Sequence, residues 1–176
     1  MSVIPREARC YFRNVDSVAD LSDPLVVSVS RRISASQHEI FEVLCTPQRH
    51  HEFDGSGMVR DSDASPIETV GDVFVMRMHN DEFGDYEMRN EVVEYVQNEA
   101  IAWAPKRHDI EDDGDWNHRW GWRLKPDGAA TEVTAFFDCT RVPADGRRIL
   151  RDGERWRPVL ERSLERLEGL TAGGKN

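Results

Sequence analysis

Two hydrophobic periods divide the chain. From Leu25 to Thr140 apolar residues recur mostly at every second position, as in strands; from Glu154 to Leu170 they recur at every third or fourth, as in a helix. The helical stripe is Trp156, Val159, Leu160, Leu164, Leu167 and Leu170. Its opposite face carries Arg155, Arg157, Glu161, Arg162, Glu165, Arg166 and Glu168, with Glu161 and Glu165 spaced to pair with residues three or four positions away. A sheet with one apolar face must bury that face against another element, and this helix is the one able to cover it.

The strand region opens with Leu25–Ile33, where Val27, Val29 and Ile33 alternate with Ser28, Ser30 and Arg32. Arg31 interrupts the apolar side, as an inward charge or an edge residue does. Ser36-Gln-His-Glu39 is a capping box and starts a short helix through Ile40, Phe41, Val43 and Leu44. Pro47 suits the first turn of a second short helix running to Phe53. Asp54-Gly-Ser-Gly57 is a glycine turn. Strands are then expected at Met58–Arg60, at Gly71–His79 (Phe74, Met76 and Met78 on one face) and at Tyr86–Val96 (Tyr86, Met88, Asn90, Val92 and Val96 together). Three more are expected: Ala100–Ala104 around Ile101 and Trp103, then Trp116–Leu124, with Trp116, His118, Trp120, Trp122 and Leu124 in register. The last is Thr131–Thr140, with Val133, Ala135, Phe137 and Cys139 on one side. Turns at Phe83–Asp85, Gln97–Glu99 and Pro126–Gly128 are short, so neighbouring strands run antiparallel. The fold class is α+β: a curved antiparallel sheet wrapped around a long C-terminal helix, with two short helices after the first strand. Residues 1–24 read as an N-terminal extension, 25–170 as the domain and 171–176 as a disordered tail.

Composition narrows the function classes. With 176 residues, 39% apolar and 32% charged, the chain fits one globular domain with a core of useful size. Its net charge of -10 opposes a nucleic-acid backbone as main partner. No apolar run approaches the ~20 residues of a membrane span, and MSVIPREARCYF lacks the apolar core of a secretory signal, so a cytoplasmic location is expected. Cys10, Cys45 and Cys139 are far apart and make no zinc spacing; reduced thiols are expected, with Cys45 and Cys139 buried as small hydrophobes. The acidic run Asp109–Asp115 lacks the spacing of a calcium loop. No metal or cofactor is implied.

Several segments carry a resemblance to a known family. They are Val27–Ser36, Ile40-Phe41, Pro47–His51, His50–Arg60, Met88–Glu94, Ile101–Trp103, Trp120-Gly-Trp122, Thr131–Thr134 and the Leu160–Leu167 stripe. On these the chain resembles the START-like, or SRPBCC, superfamily, whose helix-grip fold is shared with birch-pollen allergens and polyketide cyclase/dehydrase-like proteins. The resemblance spans roughly Leu25–Leu170 and is specific for the fold and for a subgroup of bacterial proteins. It implies a hydrophobic cavity between sheet and long helix, usually without a metal. It does not fix an activity, since the superfamily includes lipid carriers, hormone receptors, aromatase/cyclases and chaperone activators.

The leading expectation is therefore binding of a small hydrophobic or aromatic molecule, lipid-like or polyketide-like, by Met76, Met88, Asn90, Trp103, His118, Trp120 and Phe137. The alternative packs the same residues into a filled core. His118 and Asn90, in register with apolar wall residues, either orient a ligand carbonyl or hydroxyl and move a proton, or make structural hydrogen bonds. His50, His51 and Asp54 form a second constellation at the expected cavity entrance. There Asp54 either tunes an imidazole as a base or caps the glycine turn above exposed histidines. Two further functions stay open. One is a cyclase or dehydratase using His118 or His51 as base with Asn90 as orienter. The other is a chaperone-activator or stress-response interaction protein.

Overall fold

In the computed structural model, which describes residues 19–82, 84–107 and 116–172, the alternating segments form one seven-stranded antiparallel sheet. The strands are β1 (Val26–Ile33), β2 (Val59–Asp61), β3 (Val73–Asn80), β4 (Gly84–Val96), β5 (Ala100–Arg107), β6 (Arg119–Asp127) and β7 (Ala130–Asp138). Their order across the sheet is β1-β7-β6-β5-β4-β3-β2. The chain thus meanders from β2 to β7, and β1 closes against the last strand. The helices are α1 (Gln37–Leu44), α2 (His50–Phe53), α3 (Ala144–Leu150) and α4 (Arg157–Ala172). This is the expected helix-grip architecture. Cys10, residues 1–18 of the N-terminal extension, Phe83, the acidic run Asp109–Asp115 and the tail residues 173–176 lie outside the described residues.

Local chemistry explains the corner between β1 and β2. The Ser36 hydroxyl accepts from the Glu39 amide at 3.2 Å, and the Glu39 carboxylate accepts from the Ser36 amide at 2.8 Å, so the capping box is complete. α1 buries Ile40, Phe41, Val43 and Leu44. Pro47 then starts a 3-10 turn that runs directly into α2.

The inward face of the sheet buries Val27, Val133, Ala135, Phe137, Trp122, Leu124, Ile101, Trp103, Val92, Phe74 and Met76. α4 covers the face with Leu160, Leu164 and Leu167, each at most 2% exposed. Among the described residues β1 is an edge strand, and its Arg31 meets Glu168 of α4 at 2.6 Å. The opposite face carries a smaller cluster of Val26, Ala102 and Phe136. The Phe136 ring occupies the space where a Cβ at Gly121 would stand.

Three sequence expectations are corrected. The alternation groups Val96 with Met88 and Val92, but the β4–β5 register shifts between Val92 and Glu94. The extra residue inverts the alternation, so Tyr95 packs edge-on against Phe41 and Val96 is 46% exposed. Trp116 and His118 precede β6 rather than belonging to it. The helical pattern beginning at Glu154 opens with a 3-10 turn, and the α-helix proper starts at Arg157. α3 has no expected counterpart; it is short and ends where Arg151, Asp152 and Gly153 all take positive φ.

Candidate functional site

Between the sheet and α4 lies a cavity of about 270 Å³. Five strands and the helical side supply its wall, β2 through Val59. β3 gives Phe74, Met76 and Met78, and β4 gives Tyr86, Met88 and Asn90. β5 gives Trp103 and Pro105, and β6 gives Trp120, Gly121 and Trp122. The helical side brings His50 and Phe53 from α2, with Trp156, Val159, Leu160 and Ser163 from α4 and the turn before it. The strand contributions follow from period two: Phe74, Met76 and Met78 face across the sheet to Asn90, Met88 and Tyr86. The wall is largely aromatic rings and methionines, and no lysine or arginine lines it among the described residues.

Most polar groups at the cavity are already engaged by the fold. His50 is 4% exposed; its Nε2–H donates to the Leu44 carbonyl at 2.8 Å, and its ring stacks on Trp103 with centroids 5.2 Å apart. Burial lowers its pKa to about 4, so it is neutral at ordinary pH. The Asn90 amide donates to Met88 O at 3.0 Å and to Phe74 O at 3.4 Å. Asp54 accepts from the Ser56 amide and hydroxyl and from the Val59 amide at 2.9 Å, which fixes the glycine turn. Ser163 accepts from the Gly55 amide at 2.9 Å.

Two groups differ. His118 Nδ1 and Trp156 Nε1 are buried and have no hydrogen-bond partner among the described residues. Desolvation alone lowers the His118 pKa to about 4. Both rings pack on Phe137, with centroids 5.2 Å away for His118 and 5.8 Å for Trp156, and Trp120 packs on the same ring at 4.6 Å. The His118 and Trp156 rings therefore lie at the same end of the cavity.

The structure thus gathers Met76, Met88, Asn90, Trp103, His118 and Trp120 around one space, as the alternation implied. Phe137 stands one layer back, beneath His118, Trp120 and Trp156. The histidine pair divides. His51 is exposed, with Nδ1–H donating to Gln48 O at 2.9 Å, and does not line the cavity, whereas His50 does. Asp54 lines the cavity and caps the turn at once. The sequence places His50 only at the cavity entrance and Trp156 only on the helical stripe, and the structure makes both wall residues. Pro47, His50 and Phe53, three apart and all buried, were the available signal for His50. Cys45 and Cys139 are buried, and burial pushes their thiols up to about 12 and about 11, so neither is a thiolate at neutral pH. No cluster of three or more His, Cys, Asp or Glu that could hold a metal occurs among the described residues. None of the described helices is long and apolar enough to cross a membrane.

Comparison with known proteins places this geometry. The chain is 33% identical over 115 residues to the uncharacterized protein Rv0088 of Mycobacterium tuberculosis, covering 64% of this chain and 46% of that protein. It therefore spans about half the length of the curated relatives it matches. Among solved structures, protein NE0264 from Nitrosomonas europaea superposes with a TM-score of 0.66 at 15% identity, over 85% of this chain and 96% of that one. The Aha1 dimer from Colwellia psychrerythraea gives 0.55 at 16% identity, over 86% and 98%. These likenesses establish the shared fold. Residues 34–170 match the family of activator of Hsp90 ATPase homolog 1-like proteins, and the chain belongs to that family, a branch of the START-like superfamily it resembles in sequence.

Proposed function

We propose that this domain binds a small, predominantly apolar molecule in the cavity between its sheet and α4. The observation that carries this reading is the cavity itself: about 270 Å³ walled by Phe74, Met76, Met88, Trp103, Trp120 and Trp122. A purely structural core would close such a space, because interiors pack densely and each void forfeits contacts. An apolar cavity of about 150 Å³ takes up benzene, so this one has room for a molecule of about two rings. Met76, Met78 and Met88 let the wall adjust to the shape of the guest.

Native mass spectrometry of the protein purified from its own host, followed by solvent extraction, tests the reading. A co-purifying small molecule released on denaturation is expected. A clean apo mass together with no uptake of one- and two-ring aromatic compounds would overturn it. The family's name suggests a different role, with an Hsp90-type ATPase as partner. That reading gains if the apo protein stimulates such an ATPase.

A further inference from the structure

The glycine turn between α2 and β2 gathers three arginines. Arg60 Nη1–H donates to the Gly57 carbonyl at 2.9 Å, Arg162 Nε–H to the Gly55 carbonyl at 2.8 Å, and Arg166 Nη1–H to the Asp54 carbonyl. All three are exposed, and none forms an ion pair with a carboxylate among the described residues. Elsewhere in this chain, where acidic residues outnumber basic ones by 33 to 23, Arg31, Arg49, Arg119 and Arg157 each meet a carboxylate at 2.9 Å or less. The carboxylates near the turn do not neutralise it. Asp54 accepts from the Ser56 and Val59 amides, and Glu165, three residues after Arg162, makes no ion pair with it. Arg162 and Arg166 stand one turn apart on α4, a spacing at which like charges repel. Each guanidinium carries five N–H groups and the turn takes one from each, so the others face outward to solvent or to a guest. Four residues span at most about 11 Å, so the three charges share one small patch.

We infer that this patch binds the phosphate group of a small soluble phosphomonoester, with Arg162 and Arg166 as its main donors and Arg60 as the third. A phosphomonoester carries close to two negative charges and three strong acceptor oxygens at neutral pH. A carboxylate offers one charge and two oxygens. The phosphate is the better match to three guanidiniums, whose planar forks suit its oxygens. Holding each guanidinium on a turn carbonyl sets its direction before the guest arrives, which lowers the entropy lost on binding. The net charge of -10 opposes an extended anionic surface, because charges beyond the patch would meet repulsion; a single phosphate group meets the patch alone. None of the three arginines lines the cavity, so this site is separate from the guest proposed there.

Arginine Nε–H NMR signals of the full chain, titrated with glycerol 3-phosphate at constant ionic strength, test this. The Arg60, Arg162 and Arg166 signals should shift and saturate with a Kd on the order of 1 mM, the scale of a few charge-assisted hydrogen bonds at a surface. Arg151 and Arg155, exposed and also without an ion pair among the described residues, are the internal control and should not follow. Arg162→Gln and Arg166→Gln should each weaken binding about tenfold, because glutamine keeps a donor for the turn carbonyl and loses the charge. Arg155→Gln should leave the affinity unchanged. Equal shifts with acetate or chloride, or parallel movement of Arg151 and Arg155, would reduce the effect to general screening and overturn the site. Sedimentation with vesicles of equimolar phosphatidylcholine and phosphatidic acid, with no response to glycerol 3-phosphate, would overturn the soluble ligand in favour of a lipid headgroup. The parent titration and its internal control decide the matter, so a variant that misfolds does not block the test.

Discussion

The Gly55 amide donates to the Ser163 hydroxyl at 2.9 Å, joining the turn after α2 to the middle of α4 across 108 residues of sequence. A Cβ at position 55 would overlap the Val159 carbonyl oxygen and the Ser163 amide, so only glycine allows this approach. Arg162 Nε adds a bond to the Gly55 carbonyl at 2.8 Å. Gly55→Ala should destabilise the domain by about 3 kcal/mol, because the overlap is with backbone that cannot move aside alone. Ser163→Ala, which strands a buried amide, should cost about 1–3 kcal/mol. Urea titration of both variants reads these values, and a Gly55→Ala change within error of the parent would show that α4 is not held there.

A buried ion pair makes a second prediction. Arg119 Nε donates to Asp138 at 2.8 Å, across the β6–β7 ladder where the two residues face each other, and Asp138 also accepts from Thr140. The side chains are 9% and 1% exposed. Arg119→Met leaves a buried carboxylate without its cation and should cost about 3–5 kcal/mol. Adding Asp138→Leu to that variant should restore part of the loss. Thermal melts of the parent, both single variants and the double variant complete the cycle.

Acid sensitivity follows from two desolvated histidines, His50 and His118. In the folded chain His50 and His118 have pKa values of about 4, against an ordinary value of 6.5. Between these values the unfolded chain binds more protons, so stability rises with pH and falls as the solution is acidified from about 6.5 toward 4. Each histidine contributes up to about 3 kcal/mol of this loss. His118→Phe should flatten the slope of melting temperature against pH by about half in that window. An unchanged slope would mean that His118 titrates normally.

Filling the cavity should separate binding from folding. Met88 faces Met76 across β3 and β4, and both line the space. Met88→Trp puts a ring where a guest would lie. Uptake of two-ring aromatics should fall at least tenfold while the melting temperature holds or rises, because the new side chain occupies space that no protein atom fills. Retained affinity would place the guest elsewhere.

What the sequence revealed and what it hid follow from how local each signal is. The alternation in β3 was legible because one of its faces is buried, and a one-residue slip would reverse the whole set; β5 and β7 are buried on both faces, and β5 was legible because Ile101 and Trp103 alternate with alanines. His118 came with Trp120 and Trp122 for the same reason, although it sits just before the strand. The bulge in β4 was not legible. Nothing local to Val93 marks it, and it is fixed by pairing with β5. The Asp54–Gly57 turn read as a turn, but its bond to Ser163 joins parts too distant for any window to connect. Trp156 read as one more core residue. Only the assembled cavity shows that its indole nitrogen was left without a partner.

The closure of β1 on β7 has a consequence for how the chain is made. Ser30 meets Thr134 at 2.7 Å, 104 residues later, and among the described residues β1 has no other strand neighbour. A ribosome adding about 5–20 residues each second would take roughly 5–20 s to bridge that gap. During that interval Val26, Val27 and Ile33 have emerged with nothing to pair with. Nascent chains of this protein should therefore depend on holding chaperones until the final strand and helix appear, and should be most vulnerable to aggregation when translation stalls between β1 and β7.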